Sequence, residues 1–126
     1  MILADCVGQV ERQLLDAEVF FGHGTDNAFD EATWLVMLAA DIDLGTEQVD
    51  WRQALNDSQQ SAVKQLADRR IETRKPLAYL VKRAWFAGYE FYIDERAIIP
   101  RSHLGEWIPG RFEPWLGRTP VKAVLD

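Results

Sequence analysis

The sequence predicts a mainly α protein: a small helical bundle followed by a β-hairpin and an extended linker. Three observations predict it. Apolar residues recur at alternating steps of four and three through the first part of the chain. Capping residues and Pro76 punctuate that pattern, and an aromatic-rich run alternating around Gly88 then replaces it.

The first element follows from Leu3, Val7, Val10, Leu14, Ala17 and Phe21, which line one helical face and predict a helix over about 2–21. Gly22, His23, Gly24, Thr25, Asp26 and Asn27 break the spacing and supply cap oxygens for a second helix starting near Asn27. Its apolar set is Phe29, Ala32, Leu35, Val36, Ala39 and Ala40. Asp30 and Glu31 stand in its first turn, where the macrodipole favours negative charge, and it is expected to end between Ile42 and Gly45. In residues 46–56, Val49, Trp51 and Leu55 fit either a short helix or a loop that plugs the core, and a short helical turn is expected. Asn56 or Asp57, with Gln59 or Gln60 three residues on, reads as a capping box opening a third long helix. There Val63, Leu66, Ala67 and Ile71 are expected to face inward and Lys64, Arg69, Arg70 and Arg74 outward, with Pro76 as the stop.

After Pro76, residues 77–83 predict one or two helical turns. The run 84–94 reads as a hairpin with Tyr89, Phe91 and Ile93 on one face and Glu90, Tyr92 and Asp94 on the other. Ala97, Ile98 and Ile99 are held extended by Pro100. A short helix is expected in 103–108, a linker in the proline- and glycine-rich 109–120, and a strand in 121–126. A lone terminal strand has no ladder partner. The expectation is therefore that it begins a domain outside this chain.

At 126 residues and 48% hydrophobic content the chain can bury one core but not two of ordinary size. No run approaches the ~18 apolar residues of a membrane span, and the start lacks the basic flank and apolar core of a signal peptide. The expectation is a cytoplasmic protein with no membrane partner. One cysteine and two histidines exclude a disulfide scaffold and a zinc module. The net charge of -6 is unevenly spread. Residues 1–57 carry 12 Asp and Glu against two Arg, whereas residues 58–126 carry 12 Lys and Arg against eight Asp and Glu. An acidic front half repels phosphate backbones, which argues against direct nucleic-acid binding; its plainer reading is a solvated, solubilising surface, and its sharper one a docking surface for a basic protein.

Arg74, Pro76 to Leu80, Phe86, Gly88, Phe91, Ile93 and Ile98 to Arg101 resemble the segment joining the two domains of HemK-like protein glutamine methyltransferases. Gly22 to Asn27 with Asp30, Glu31 and Ala32 is similar to the branch that modifies a large-subunit ribosomal protein, the third of that subunit. The run from Pro100 to Glu106, with its acid one place later than in the release-factor branch, is similar to it as well. The resemblance implies a division into a helical substrate-recognition domain (1–80), a hairpin bridge (81–101), and a linker plus the first strand of an absent Rossmann-like domain (102–126). It also implies S-adenosylmethionine as cofactor of the parent enzyme, none bound to this fragment, and no catalysis by the fragment alone. The partners it implies are a basic ribosomal protein and the catalytic domain. Where the residues alone are weighed, a freestanding helical adaptor is the alternative.

His23, Thr25, Asp26, Asn27, Asp30 and Glu31 are the candidate substrate-recognition residues, and by family position Arg101 and Glu106 are candidates for the rim of the cofactor pocket. Each has a plainer reading: Asp26 and Asn27 as helix caps, His23 as a loop hydrogen-bonding group, Arg101 and Glu106 as an ion pair or helix-start contact. Cys6 reads as a small buried hydrophobe, and Tyr79, Trp85, Phe86 and Phe91 as core or interdomain packing. No catalytic residue and no metal ligand is assigned. Ser102 and His103 are neighbours that point to opposite faces of an extended chain.

Overall fold

The computed structural model describes residues 1–45, 47–113 and 115–125. Three helices form the body: α1 (Leu3–Asp16), α2 (Ala28–Ala39) and α3 (Asp57–Thr73). A short α4 (Leu77–Val81) leads into an antiparallel hairpin of β1 (Arg83–Phe86) and β2 (Tyr89–Tyr92), and α5 (Leu104–Trp107) follows. The predicted class is the observed one.

The body's core is built from the apolar faces of these helices. Leu3, Val7, Val10 and Leu14 of α1 meet Ala32, Leu35 and Val36 of α2 and Val63 and Ala67 of α3, with Leu55 and Leu77 closing the ends. Cys6 is buried among them, and burial pushes its thiol pKa up. A second, smaller cluster of Ala84, Ile93 and Ile99, packed by Ala78 and Tyr79, joins the hairpin to α4.

Helix α1 stops at Asp16, five residues before the apolar spacing predicts. Glu18 adopts a left-handed conformation (φ 51°), Val19 donates to the Leu14 carbonyl and Glu18 to that of Leu15. This is a Schellman closure made without glycine, and Val19 is buried beside the helix end it caps. Asp41 and Ile42 repeat the device at the end of α2. The start of α1 has no side-chain cap; Leu3 and Ala4 donate instead to the carbonyls of Gln53 and Trp51 at 2.9 and 3.0 Å. That pairing, with the Ile2–Ala54 bridge, is why the described part of 46–56 is a loop with a turn and one isolated bridge and not the short helix expected. The capping box at Asn56 and Gln59 opens α3 as predicted. Residues 121–125 form no strand and lie exposed, having no ladder to join, and Asp126 lies outside the described residues.

On the helices, two placements differ from the expected burial. Phe29, assigned to the apolar face of α2, is 48% exposed. Arg70, assigned outward, is 2% exposed and forms an ion pair with Glu31 of α2. Its Nη2 also donates to the Phe20 carbonyl at 2.7 Å. One turn later Arg74, exposed, donates to the Ala17 carbonyl at 2.6 Å. Arg70 of α3 and Arg74 at its C-cap thereby satisfy the carbonyls leaving α1 and hold the start of the α1–α2 loop.

Candidate functional site

That loop forms one wall of a cleft. Gly22 and Gly24 take φ values of 130° and 109°, which side-chain-bearing residues rarely adopt, so the chain can double back before α2. Asn27 then caps α2: its Oδ1 accepts from the Asp30 amide at 2.8 Å, while its Nδ2 donates at 2.8 Å to both Asp26 Oδ1 and Asp30 Oδ2. One amide thus holds two carboxylates side by side at the helix start, where the macrodipole favours them. Trp34, one turn on from Asp30, extends the wall.

The second wall comes from the far end of the chain. Tyr79 of α4 donates its hydroxyl proton to the Ala97 carbonyl at 2.7 Å, and Lys75 pairs with Glu95 at 2.6 Å. These ties, with buried Ile99, bring Pro100 and Arg101 opposite the loop. The open cleft between the walls has a volume of about 510 Å³, with Gly22, Gly24, Thr25, Asp26, Asp30 and Trp34 on one side and Pro100 and Arg101 on the other. A smaller recess of about 130 Å³ continues it between His23 and Tyr79. Trp34 meets Trp85 of β1 edge-on at 5.3 Å, which ties the bundle to the hairpin beneath the cleft.

The structure therefore brings Thr25, Asp26, Asp30 and Arg101 to one cleft, with His23 in the adjoining recess and its ring 5.5 Å from that of Phe20. Asn27 serves as cap and organiser. Glu31 turns inward to Arg70, and Glu106 stands exposed on α5, outside the cleft lining. Trp34 and the Tyr79 hydroxyl are contributions that sequence reasoning missed. Trp34 had a signal, since it lies four residues from Asp30 on the helix surface, whereas the Tyr79 to Ala97 bond had none. Among the described residues, no three His, Cys, Asp or Glu side chains are grouped to hold a metal ion, and no helix is long and apolar enough to cross a membrane.

Residues 14–81, which span the loop and the helices that carry it, match the family described as the PrmC N-terminal domain. The chain belongs to that family. It is 40% identical, over 98% of its length, to a protein of Xylella fastidiosa (strain 9a5c) named ribosomal protein uL3 glutamine methyltransferase, of which the match covers 40%. A Xanthomonas campestris pv. campestris protein of the same name is 44% identical over 88% of this chain and 36% of its own length. The chain thus spans about 40% of the length of the curated relatives it matches. The resemblance read from the loop and hairpin residues holds at the level of the family. No solved structure matches the chain.

Proposed function

We propose that this chain is the substrate-recognition part of an S-adenosylmethionine-dependent methyltransferase acting on a glutamine side-chain amide of ribosomal protein uL3, and that the chain alone is not catalytic. The observation that carries this reading is the cleft. Loop residues near 25 and residues near 100 converge on one open groove, in a chain whose relatives carry that activity in their names. An open groove with carboxylates on one wall and a guanidinium on the other suits an extended polypeptide better than an enclosed small molecule. The basic character of ribosomal proteins complements the acidic front half.

In the reaction, S-adenosylmethionine supplies a methyl group. This chain's contribution is to hold the substrate segment so that one amide nitrogen is presented in a reactive orientation, which removes much of the entropic barrier. Asp26 and Asp30 engage cationic side chains of the segment, and Arg101 donates to its carbonyls or carboxylates. Arg101 precedes α5 and lines the cleft, whereas Glu106 lies on α5 outside that lining. Beyond the substrate contact of Arg101, the two fit the rim of a cofactor pocket completed by other residues.

The test is calorimetric titration of purified uL3 into this chain at two salt concentrations. Saturable binding that weakens with salt, and that falls at least about tenfold when Asp26 and Asp30 are both changed to Lys, is expected for two lost charge contacts. No saturable binding, or binding indifferent to the reversal, refutes the reading.

A further inference from the structure

The outward face of α2 carries a feature the cleft does not use. Phe29 is 48% exposed and Trp51 is 38% exposed, and their ring centroids lie 6.3 Å apart with planes tilted by 31°. The two rings cover each other, and the outer sides remain in solvent. Trp51 is held in place by its backbone, whose carbonyl accepts from the Ala4 amide in the first turn of α1. At about 100° per residue, Phe29, Thr33 and Asp30 succeed one another across the outward surface of α2, with half-buried Trp34 at its edge. The aromatic pair and the cleft are therefore two ends of one strip, and Asp30 is where the strip reaches the cleft.

We infer that this strip docks an extended basic segment of the protein substrate, with an arginine of that segment stacked on the Phe29–Trp51 pair. The inference rests on the substrate reading above and deepens it by naming the chemistry recognised. A guanidinium is planar and weakly hydrated and stacks on aromatic faces, so it gains more from the pair than a lysine ammonium does. Next along the strip, Asp26 and Asp30 offer carboxylates that form no ion pair among the described residues. A nucleic acid is disfavoured by the 12 acidic residues against two arginines in residues 1–57. A second copy of this chain would bring the same negative charge face to face across a patch of two rings, far smaller than a stable dimer interface.

The experiment measures uL3 binding to the chain for the native sequence, Trp51→Ala and Trp51→Phe, alongside two nine-residue peptides rich in Arg or in Lys. Circular dichroism checks each variant's fold, which the exposed position of the ring protects. Trp51→Ala is expected to weaken uL3 about fivefold, the scale of an exposed cation–π contact. Trp51→Phe is expected to recover most of that loss, and the Arg peptide to bind more tightly than the Lys peptide only when an aromatic stands at 51. Native-strength uL3 binding by Trp51→Ala, or an Arg preference that survives it, overturns the inference while leaving the substrate reading intact. Failure of every form to bind uL3, with a Trp51-dependent Arg preference retained, keeps the strip and removes uL3 as its partner.

Discussion

Arg70→Met isolates the interaction that holds the cleft's first wall. The native guanidinium is 2% exposed and binds the 4% exposed Glu31 carboxylate and, at 2.7 Å, the Phe20 carbonyl. Methionine keeps the volume of the stem but removes every donor. Breaking a buried pair from one side costs about 3–5 kcal/mol, because the surviving charge stays in the interior without its partner. The Phe20 carbonyl also loses its donor, a cost of about 1–3 kcal/mol that overlaps the first where the site relaxes or admits water. Against a total stability of about 5–15 kcal/mol for an ordinary domain, this is a large share. With a urea slope of about 1–3 kcal/mol/M, the midpoint is expected to fall by roughly 2 M at unchanged slope. The companion variant Glu31→Leu with Arg70→Met removes both charges and is expected to recover most of the loss, since replacing a whole buried pair by apolar groups is often neutral or stabilising. Urea unfolding followed by circular dichroism reads both. A single-variant loss below about 1 kcal/mol, or a double variant no better than the single, would refute the claim that an uncompensated buried charge sets the cost.

Two further outcomes are expected. The hairpin turn places Ala87 at φ 51° and Gly88 at φ 81°, a two-residue loop with both central residues left-handed, for which Asn-Gly is the preferred pair. Ala87→Asn should raise stability by about 0.5–1 kcal/mol, read as a higher thermal midpoint; a lower one would mean that the turn geometry is not as described. The Asp94 carboxyl is held well below its ordinary 3.8 by hydrogen bonds from the Arg96 side chain and backbone and from the Tyr92 hydroxyl. A depressed folded value means that its stabilising contribution is present above the ordinary carboxylate range and is lost as pH falls below it. Asp94→Asn should therefore flatten the acid limb of the stability profile, and NMR titration of the native Asp94 carboxyl should show it still ionised where ordinary aspartates are protonated.

The local devices were legible and the long-range ones were not. The capping box at Asn56 and Gln59, the glycines at 22 and 24, and the hairpin about Gly88 all depend on neighbours a few residues away, so sequence spacing reveals them. The ends of α1 and α2 fall earlier than the spacing predicts because Glu18 and Asp41, respectively, take left-handed conformations that glycine or asparagine would have advertised. Arg70 was misread for the opposite reason. Its spacing of three and seven from Ala67 and Val63 places it on their buried face, but its charge argued for solvent, and only its meeting with Glu31 reconciles the two. Phe29 and Trp51 read as core because apolar residues usually are. Phe29 stays exposed because α2 buries Ala32, Leu35 and Val36 against α1 and α3, and Trp51 lies outside α2 with its ring against that of Phe29.

By itself, the sequence determined the helical class, the family, the acidic front half and the identity of the loop that contributes Thr25, Asp26 and Asp30. Helix periodicity, capping and net charge are properties of nearby residues or of simple sums, and they survive without knowledge of the fold. Tertiary structure alone decided that Arg101 stands across a cleft from that loop and that Glu31 is withdrawn from it. It also decided that Phe29 and Trp51 present a paired aromatic face. Each of these depends on contacts between residues distant along the chain, made when burial of the core brings Arg70 to Glu31, the Tyr79 hydroxyl to Ala97, and the Trp51 carbonyl to the start of α1.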